Sequence, residues 1–446
     1  MRIAKYLLLL VFVSSQTFAD TGMSFERFER LNEPLNRSEV DYWVNIRHSK
    51  DYEYTWADGH LDLDLRFYSQ KNDFLYSFSE FYLTNKNSVE EYSVGRKRLR
   101  WNTAERFWLL EDINSNQSFS LLGEKQDGLF GFHHTRKYKK FTLNIFASYM
   151  YIPQLNPVVD SEDGKVSSKA EWVKLPPTKT VVFDEVVPIS YQINMPEVYK
   201  IALQRALGVR VKYDDKIKDL AYSQAFYLMY KPENRVRVNA TAYYDVDKSK
   251  VIVEANPIVN HHMIYGTEFN TSFKEINTST GLVMVDPTAA WGKDFLVPGP
   301  DQLRGNLKEF SSDDPDFFKV KPNYDKRTYA YTNWNVGNEK FGGSFNYFYL
   351  FNGAAEGDDF YSETSKWVNA VGLAGFVKMG RFFTLESKWR YDFDRNDNLL
   401  SASLTYGHRQ FWTSLGVEMI SSRRKESYWS AYRANDIAFI NVGYIF

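Results

Sequence analysis

The chain has no cysteine. Disulfide frameworks and thiolate metal sites are therefore excluded. A lipid carried on cysteine is excluded too, so any membrane attachment must come from the fold. Beyond the first nineteen residues there is no run of eighteen apolar residues, which excludes a membrane-spanning helix. An excess of one charge is also missing: 55 Lys+Arg against 56 Asp+Glu leave a net charge of −1, so nothing points to nucleic acid. No HExxH, GxSxG, Walker or EF-hand pattern occurs. His133-His134 and His261-His262 are adjacent pairs, whose side chains point to opposite faces of an extended segment. Neither pair shares a metal or a proton, and the chain reads as a non-enzyme without a cofactor.

What is present begins with a targeting pattern. Arg2 and Lys5 precede a short apolar run, Tyr6 to Val13, and Thr17-Phe18-Ala19 precedes Asp20. Residues 1–19 thus read as an export signal. Aromatic residues make up 17% of the chain, with 31 Tyr, 34 Phe and 11 Trp.

Period-two alternation sets the fold class. Val40, Tyr42, Val44 and Ile46 oppose Asp41, Asn45 and Arg47; Leu61, Leu63, Leu65 and Phe67 oppose Asp62, Asp64 and Arg66. Over 141–151, Phe141, Leu143, Ile145, Ala147, Tyr149 and Tyr151 oppose Thr142, Asn144 and Ser148. Over 199–213, Ile201, Leu203, Leu207, Val209, Val211 and Tyr213 oppose Lys200, Gln204, Arg210 and Lys212, with Arg205 an exception on the apolar face. Over 235–246, Val236, Val238, Ala240, Ala242, Tyr244 and Val246 oppose Arg235, Arg237, Asn239, Thr241 and Asp245. Over 383–393, Phe383, Leu385, Trp389, Tyr391 and Phe393 oppose Thr384, Glu386, Lys388, Arg390 and Asp392. Several runs approach the length needed to cross a bilayer at a tilt, and aromatics recur near their ends, as interfacial girdles do. With no helical span, a closed barrel is what satisfies its backbone in lipid.

The expected fold is all-β: an up-and-down transmembrane antiparallel barrel over 20–446, of about eighteen strands, with sixteen and twenty as neighbours. The last strand carries Ala438, Ile440, Val442, Tyr444 and Phe446 on one face, and its terminal Phe446 with Tyr444 two before it resembles the assembly signal of outer-membrane barrel proteins. It must end in the periplasm, which puts loops near 421–436, 395–398, 352–364, 288–325 and 152–198 outside. Turns near 407–410, 379–380 and 337–339 fall inside. The two longest loops are proline-rich and carry apolar residues, which suggests folding into or over the pore. The weakly patterned stretch 101–126 suggests an inward-folded loop.

The inward-facing positions hold twelve bases: Arg47, Arg66, Arg96, Arg98, Arg100, Lys200, Arg210, Lys212, Arg235, Arg237, Lys388 and Arg390. Seven acids oppose them: Asp41, Asp62, Asp64, Asp245, Glu386, Asp392 and Glu418. A lumen so charged favours anions. In Gly95-Arg96-Lys97-Arg98-Leu99-Arg100-Trp101 the spacing puts Arg96, Arg98 and Arg100 on one face, with Leu99 and Trp101 on the other.

The leader, the alternation and the terminal Tyr444-Ile445-Phe446 resemble those of Gram-negative outer-membrane channels of the porin type. The 95–101 stretch is similar to the glycine-arginine strand of alginate-export-like porins. The resemblance implies an outer-membrane location, assembly by the barrel machinery, contact with outer-membrane lipid and lipopolysaccharide, and passage of anionic solutes or an anionic polymer. A structural or adhesive surface barrel and a hydrophobic-substrate transporter are the competing readings. Oligomeric state is left open.

Overall fold

In the computed structural model of the chain, the described residues are 20–32, 40–54, 56–68, 73–116, 122–154, 159–168, 173–287, 318–320, 326–353 and 364–446. The segment read as an export signal lies outside them, as does most of the loop near 288–325. Eighteen antiparallel strands form the wall. In chain order they are β1 (Asp20–Arg30), β2 (Val40–Glu53), β3 (Asp58–Tyr68), β4 (Asp73–Lys86), β5 (Glu90–Lys97), β6 (Leu129–Tyr138), β7 (Phe141–Ser148), β8 (Ala206–Ile217) and β9 (Leu220–Pro232). The second half is β10 (His261–Phe273), β11 (Ile276–Asp286), β12 (Arg327–Gly337), β13 (Phe341–Asn352), β14 (Asn369–Met379), β15 (Phe383–Asp392), β16 (Asp397–His408), β17 (Phe411–Ser422) and β18 (Ile437–Ile445). Each strand pairs with the next, and β1 pairs with β18 from Gly22–Ile445 to Arg30–Ile437. The sheet is therefore closed, with no free edge between first and last strands, as a bilayer requires.

The alternation sets which face meets lipid. Phe25, Phe67, Leu207, Val211, Leu385, Ile440, Val442 and Tyr444 are exposed on the outer face. Positions of the opposite parity turn inward: Asp41, Asp62, Arg390 and Asp392 are buried within the lumen. An exterior of Phe, Leu, Val and Tyr over a charged interior is stable only in a membrane, and the protein is an outer-membrane β-barrel. The short turns 139–140, 218–219, 274–275 and 409–410 lie at one end, with the carboxyl terminus; the long connections lie at the other. That asymmetry identifies the long-loop end as extracellular.

Three expected strands are corrected. Residues 199–205 do not extend β8: Val198–Ala202 is a short helix, α2, and β8 starts at Ala206. Tyr151 lies beyond the end of β7 and is buried. The 235–246 run is not in the wall, although it alternates. Arg237–Asp245 belongs to an extramembrane five-stranded sheet with Lys179–Val182, Glu185–Ile193, Lys250–Ile258 and Phe318–Val320. That sheet buries Val182, Val187, Tyr191, Ala242, Val251 and Val253. A half-buried soluble sheet needs the same period as a membrane strand, so alternation alone did not separate them.

Candidate functional site

β5 leaves the wall early. It pairs with β4 only from Lys86–Glu91 to Phe81–Arg96, and Gly95 turns at φ +130° just before the departure. Gly128 N–H then donates to Ser79 O at 2.8 Å, bringing the chain back to β4. Between them, the described residues 98–116 and 122–127 run through the lumen. Among them is a short helix, α1 (Ala104–Trp108).

The segment reaches the far side of the barrel. Wall glycines admit its aromatic rings: a Cβ at Gly208 of β8 would stand 3.0 Å from the Trp101 ring, and one at Gly372 of β14 would strike Phe107. Trp108 is wholly buried against Phe348 and Trp367, and Trp367 Nε1 donates to Trp108 O at 2.7 Å. Trp101, Trp108, Leu109 and Ile113 thus belong to an apolar core inside the barrel, shared with Tyr227, Tyr329, Tyr331 and Trp429. Eight strands lie between β5 and β14 on either side of the barrel, so the segment spans the lumen.

Polar contacts pin it at both ends and at its tip. Near β3 and β4, Arg98 pairs with Glu80 and Asp62, and Lys125 with Asp62 and Asp64. At the tip, Glu111 meets Arg235 at 2.9 Å and Lys366 at 3.5 Å. Burial works against the Glu111 charge, but Arg235 and Lys366 outweigh it and hold its carboxyl below the usual range. Asp112 meets Arg327 at 2.9 Å and accepts from Tyr329 Oη at 2.6 Å. Inside the bend, Glu105 accepts from Ile113 N–H and from Asn114 Nδ2. Burial and the nearby Asp112 push its carboxyl up to about 8.

The pinned segment also joins a charged cluster with the wall. Glu124 receives Arg390 at 2.8 Å, Lys388 at 3.0 Å and Arg106 at 3.4 Å. Glu418 on β17 stands in the field of Glu26, Arg66, Arg390 and Lys388. Arg106 keeps 74% of its side chain exposed and Arg47, an inward position of β2, keeps 60%. Exposed cations on the inside of a wall mean water in the lumen.

The sequence-derived candidates are distributed as follows. Lys388 and Arg390 belong to the Glu124 cluster. Arg210 faces inward in the field of Glu268, and Lys212 pairs with Asp214 at 2.6 Å. Arg235 and Arg237 are not on the wall: Arg235 caps Glu111 and Arg237 is paired with Glu233. Lys200 sits on α2 beside Glu197. Arg96, Arg98 and Arg100 do not form a strand row, because β5 ends at Lys97. Arg96 is buried, with Nε on Gly128 O at 2.8 Å and Nη1 on Phe78 O at 2.9 Å, beside Asp127. Arg98 holds Glu80, and Arg100 is exposed. Leu99 and Trp101, expected on the lipid face, are buried in the lumen core. Tyr444 Oη donates to Gln410, and Phe446 N–H donates to Thr21 O at 2.8 Å, across the seam of the barrel.

Arg106, Glu111, Asp112, Glu124 and Lys125 were not among the candidates. Their signal was the failure of alternation across 101–126. That marks a departure from the wall but not which side chains converge after it.

No family model matches the chain and no curated protein matches it. Solved outer-membrane channels do align with it. A mutant of the Rh. blastica porin is 10% identical, with 96% of this chain and 99% of that one covered and a TM-score of 0.38. OccD3 of Pseudomonas aeruginosa is 9% identical over 96% of this chain and 91% of its own, at 0.44. OccAB4 of Acinetobacter baumannii is 7% identical over 97% and 99%, at 0.43. Likeness at this level carries nothing about solutes to this chain.

Proposed function

We propose that the barrel is a diffusion channel of the outer membrane for anionic solutes, with segment 98–127 setting its narrowest part. The observation that carries this reading is the cluster at Glu124, where Arg106, Lys388 and Arg390 converge on one carboxylate inside a hydrated lumen. One acid does not neutralise three bases, and the nearby Glu418 leaves the group still positive. Low-dielectric walls strengthen such a field and raise the local anion concentration. The positive bias is more local than an even lining, since Arg96, Arg98, Lys125 and Arg237 are each matched by acid. A segment pinned across the lumen favours small solutes over a polymer.

The test is conductance in planar bilayers, with the reversal potential read across a salt gradient. Arg106→Gln with Lys388→Gln removes two partly exposed cations and leaves the Arg390–Glu124 pair. The wild type should be anion-selective, and the double variant less so, most clearly at low salt, where screening is weak. A reversal potential unchanged by the substitutions would overturn the reading. A wild-type barrel that inserts and carries no current would favour a structural or adhesive protein.

A further inference from the structure

Arg205 breaks the pattern of the outer face. Leu207 and Ala147 are paired neighbours in register on β8 and β7, and Leu207 is exposed toward lipid. Just beyond the last pair of these strands, Ala206–Ser148, come Arg205 and Tyr149. The guanidinium lies 5.1 Å from the centre of the Tyr149 ring, and Tyr149 is 70% exposed. The residues between, Ser148 and Ala206, face the other way: Ser148 is buried and Ala206 packs against the lumen core. Among the described residues no carboxylate pairs with Arg205. Nearby Lys200 and Glu197 face each other at 3.8 Å, and Glu233 is taken by Arg237.

The wall is also at its lowest here. β5, β6 and β7 have 8, 10 and 8 residues, while β4 and β8, which flank them, have 14 and 12. Above the last β7–β8 pair the barrel continues without regular strand, through Tyr151 N–H on Ala202 O at 2.7 Å. Val198, Tyr199 and Leu203, which precede Arg205 in the chain, are exposed apolar residues as well. A cation in this position is costly against hydrocarbon. It is favourable where an anionic headgroup reaches it, because a guanidinium binds phosphate through two parallel hydrogen bonds.

We propose that Arg205 and Tyr149, with the apolar surface of Val198 and Leu203, form an external binding site for a phosphorylated membrane lipid. The phosphate sits on the guanidinium, and the acyl chains lie on the low outer wall of β5–β7. The site is outside the lumen and independent of the channel reading.

The probe is diphosphoryl lipid A, titrated into purified folded barrel and followed by native mass spectrometry. The same lipid with its phosphates removed is the control. Arg205→Gln should weaken diphosphoryl binding about tenfold, the effect of losing charge-assisted hydrogen bonds. Arg205→Lys should retain part of the affinity, and Tyr149→Leu should lose part of it. Conductance should not change in any of them. Equal affinity of wild type and Arg205→Gln would overturn the site. So would equal binding of the dephosphorylated lipid, which wild type and Arg205→Lys test even if Arg205→Gln fails to fold.

Discussion

At the scale of single residues, position relative to the membrane outweighs residue type. Val209 and Val238 look alike in sequence, each an apolar member of an alternating run. Val209 pairs with Ile145 and Leu228 on the lipid face of the wall. Val238 pairs with Pro257 in the extramembrane sheet. Arginine at Val209 should destabilise the barrel by about 2–4 kcal/mol if the site lies at the bilayer midplane. Arginine at Val238 should cost less, since water is near. Unfolding by urea in vesicles measures both, and equal losses would mean that one of the two positions is misassigned. The arginines tell the same story. Arg96, Arg98 and Arg100 share spacing and charge, yet Arg96 and Arg98 spend their donors on Gly128 O, Phe78 O and Glu80, and Arg100 stays exposed. Neutralising all three is therefore expected to disturb the return of the chain to β4, not selectivity alone.

At the scale of elements, the lumen-crossing segment is a tethered object. Its tip carries Glu111 and Asp112, and the cations holding them come from separate parts of the chain: Arg235 after β9, Arg327 on β12 and Lys366 before β14. Removing one partner of a buried ion pair leaves the other charge uncompensated. Glu111→Gln with Asp112→Asn should therefore free the tip while Trp108 still anchors α1. The expected outcome is larger fluctuation of single-channel current with the barrel itself intact. A quiet current equal to the wild type would show that apolar packing holds the segment without the latch. Trp108, Trp367 and Trp429 pack one on the next, edge-to-face and then tilted, at 5.4 Å between successive ring centres, so the apolar anchor is substantial.

At the scale of the whole molecule, closure depends on the last strand. β18 pairs with β17 on one side and β1 on the other, and Phe446 N–H adds a bond to Thr21 O. Deleting Phe446 removes that bond and the ring that packs on Tyr444 at 5.2 Å. Levels of heat-modifiable barrel in the outer membrane should fall. Unchanged levels would argue against an assembly role for the terminus. The lumen interior is also divided. An apolar core around segment 98–127 fills the side lined by β8–β14, and ionic groups gather near β1–β4 and β15–β17.

Closed barrel, approximate strand number, loop asymmetry and the faces of the strands that do lie in the wall were legible in the chain, because the pleat has period two and lipid demands an apolar partner at every second residue. Asp41, Asp62 and Arg390 needed no tertiary information to be placed inside. The tertiary structure alone decided which alternating run belongs to the wall and which to the external sheet, as Val238 shows, because both environments bury one face. It alone decided where 98–127 goes. A segment that leaves the wall is held by residues far away in sequence, Arg235, Arg327, Lys366 and Arg390. No local pattern encodes a contact closed over that distance.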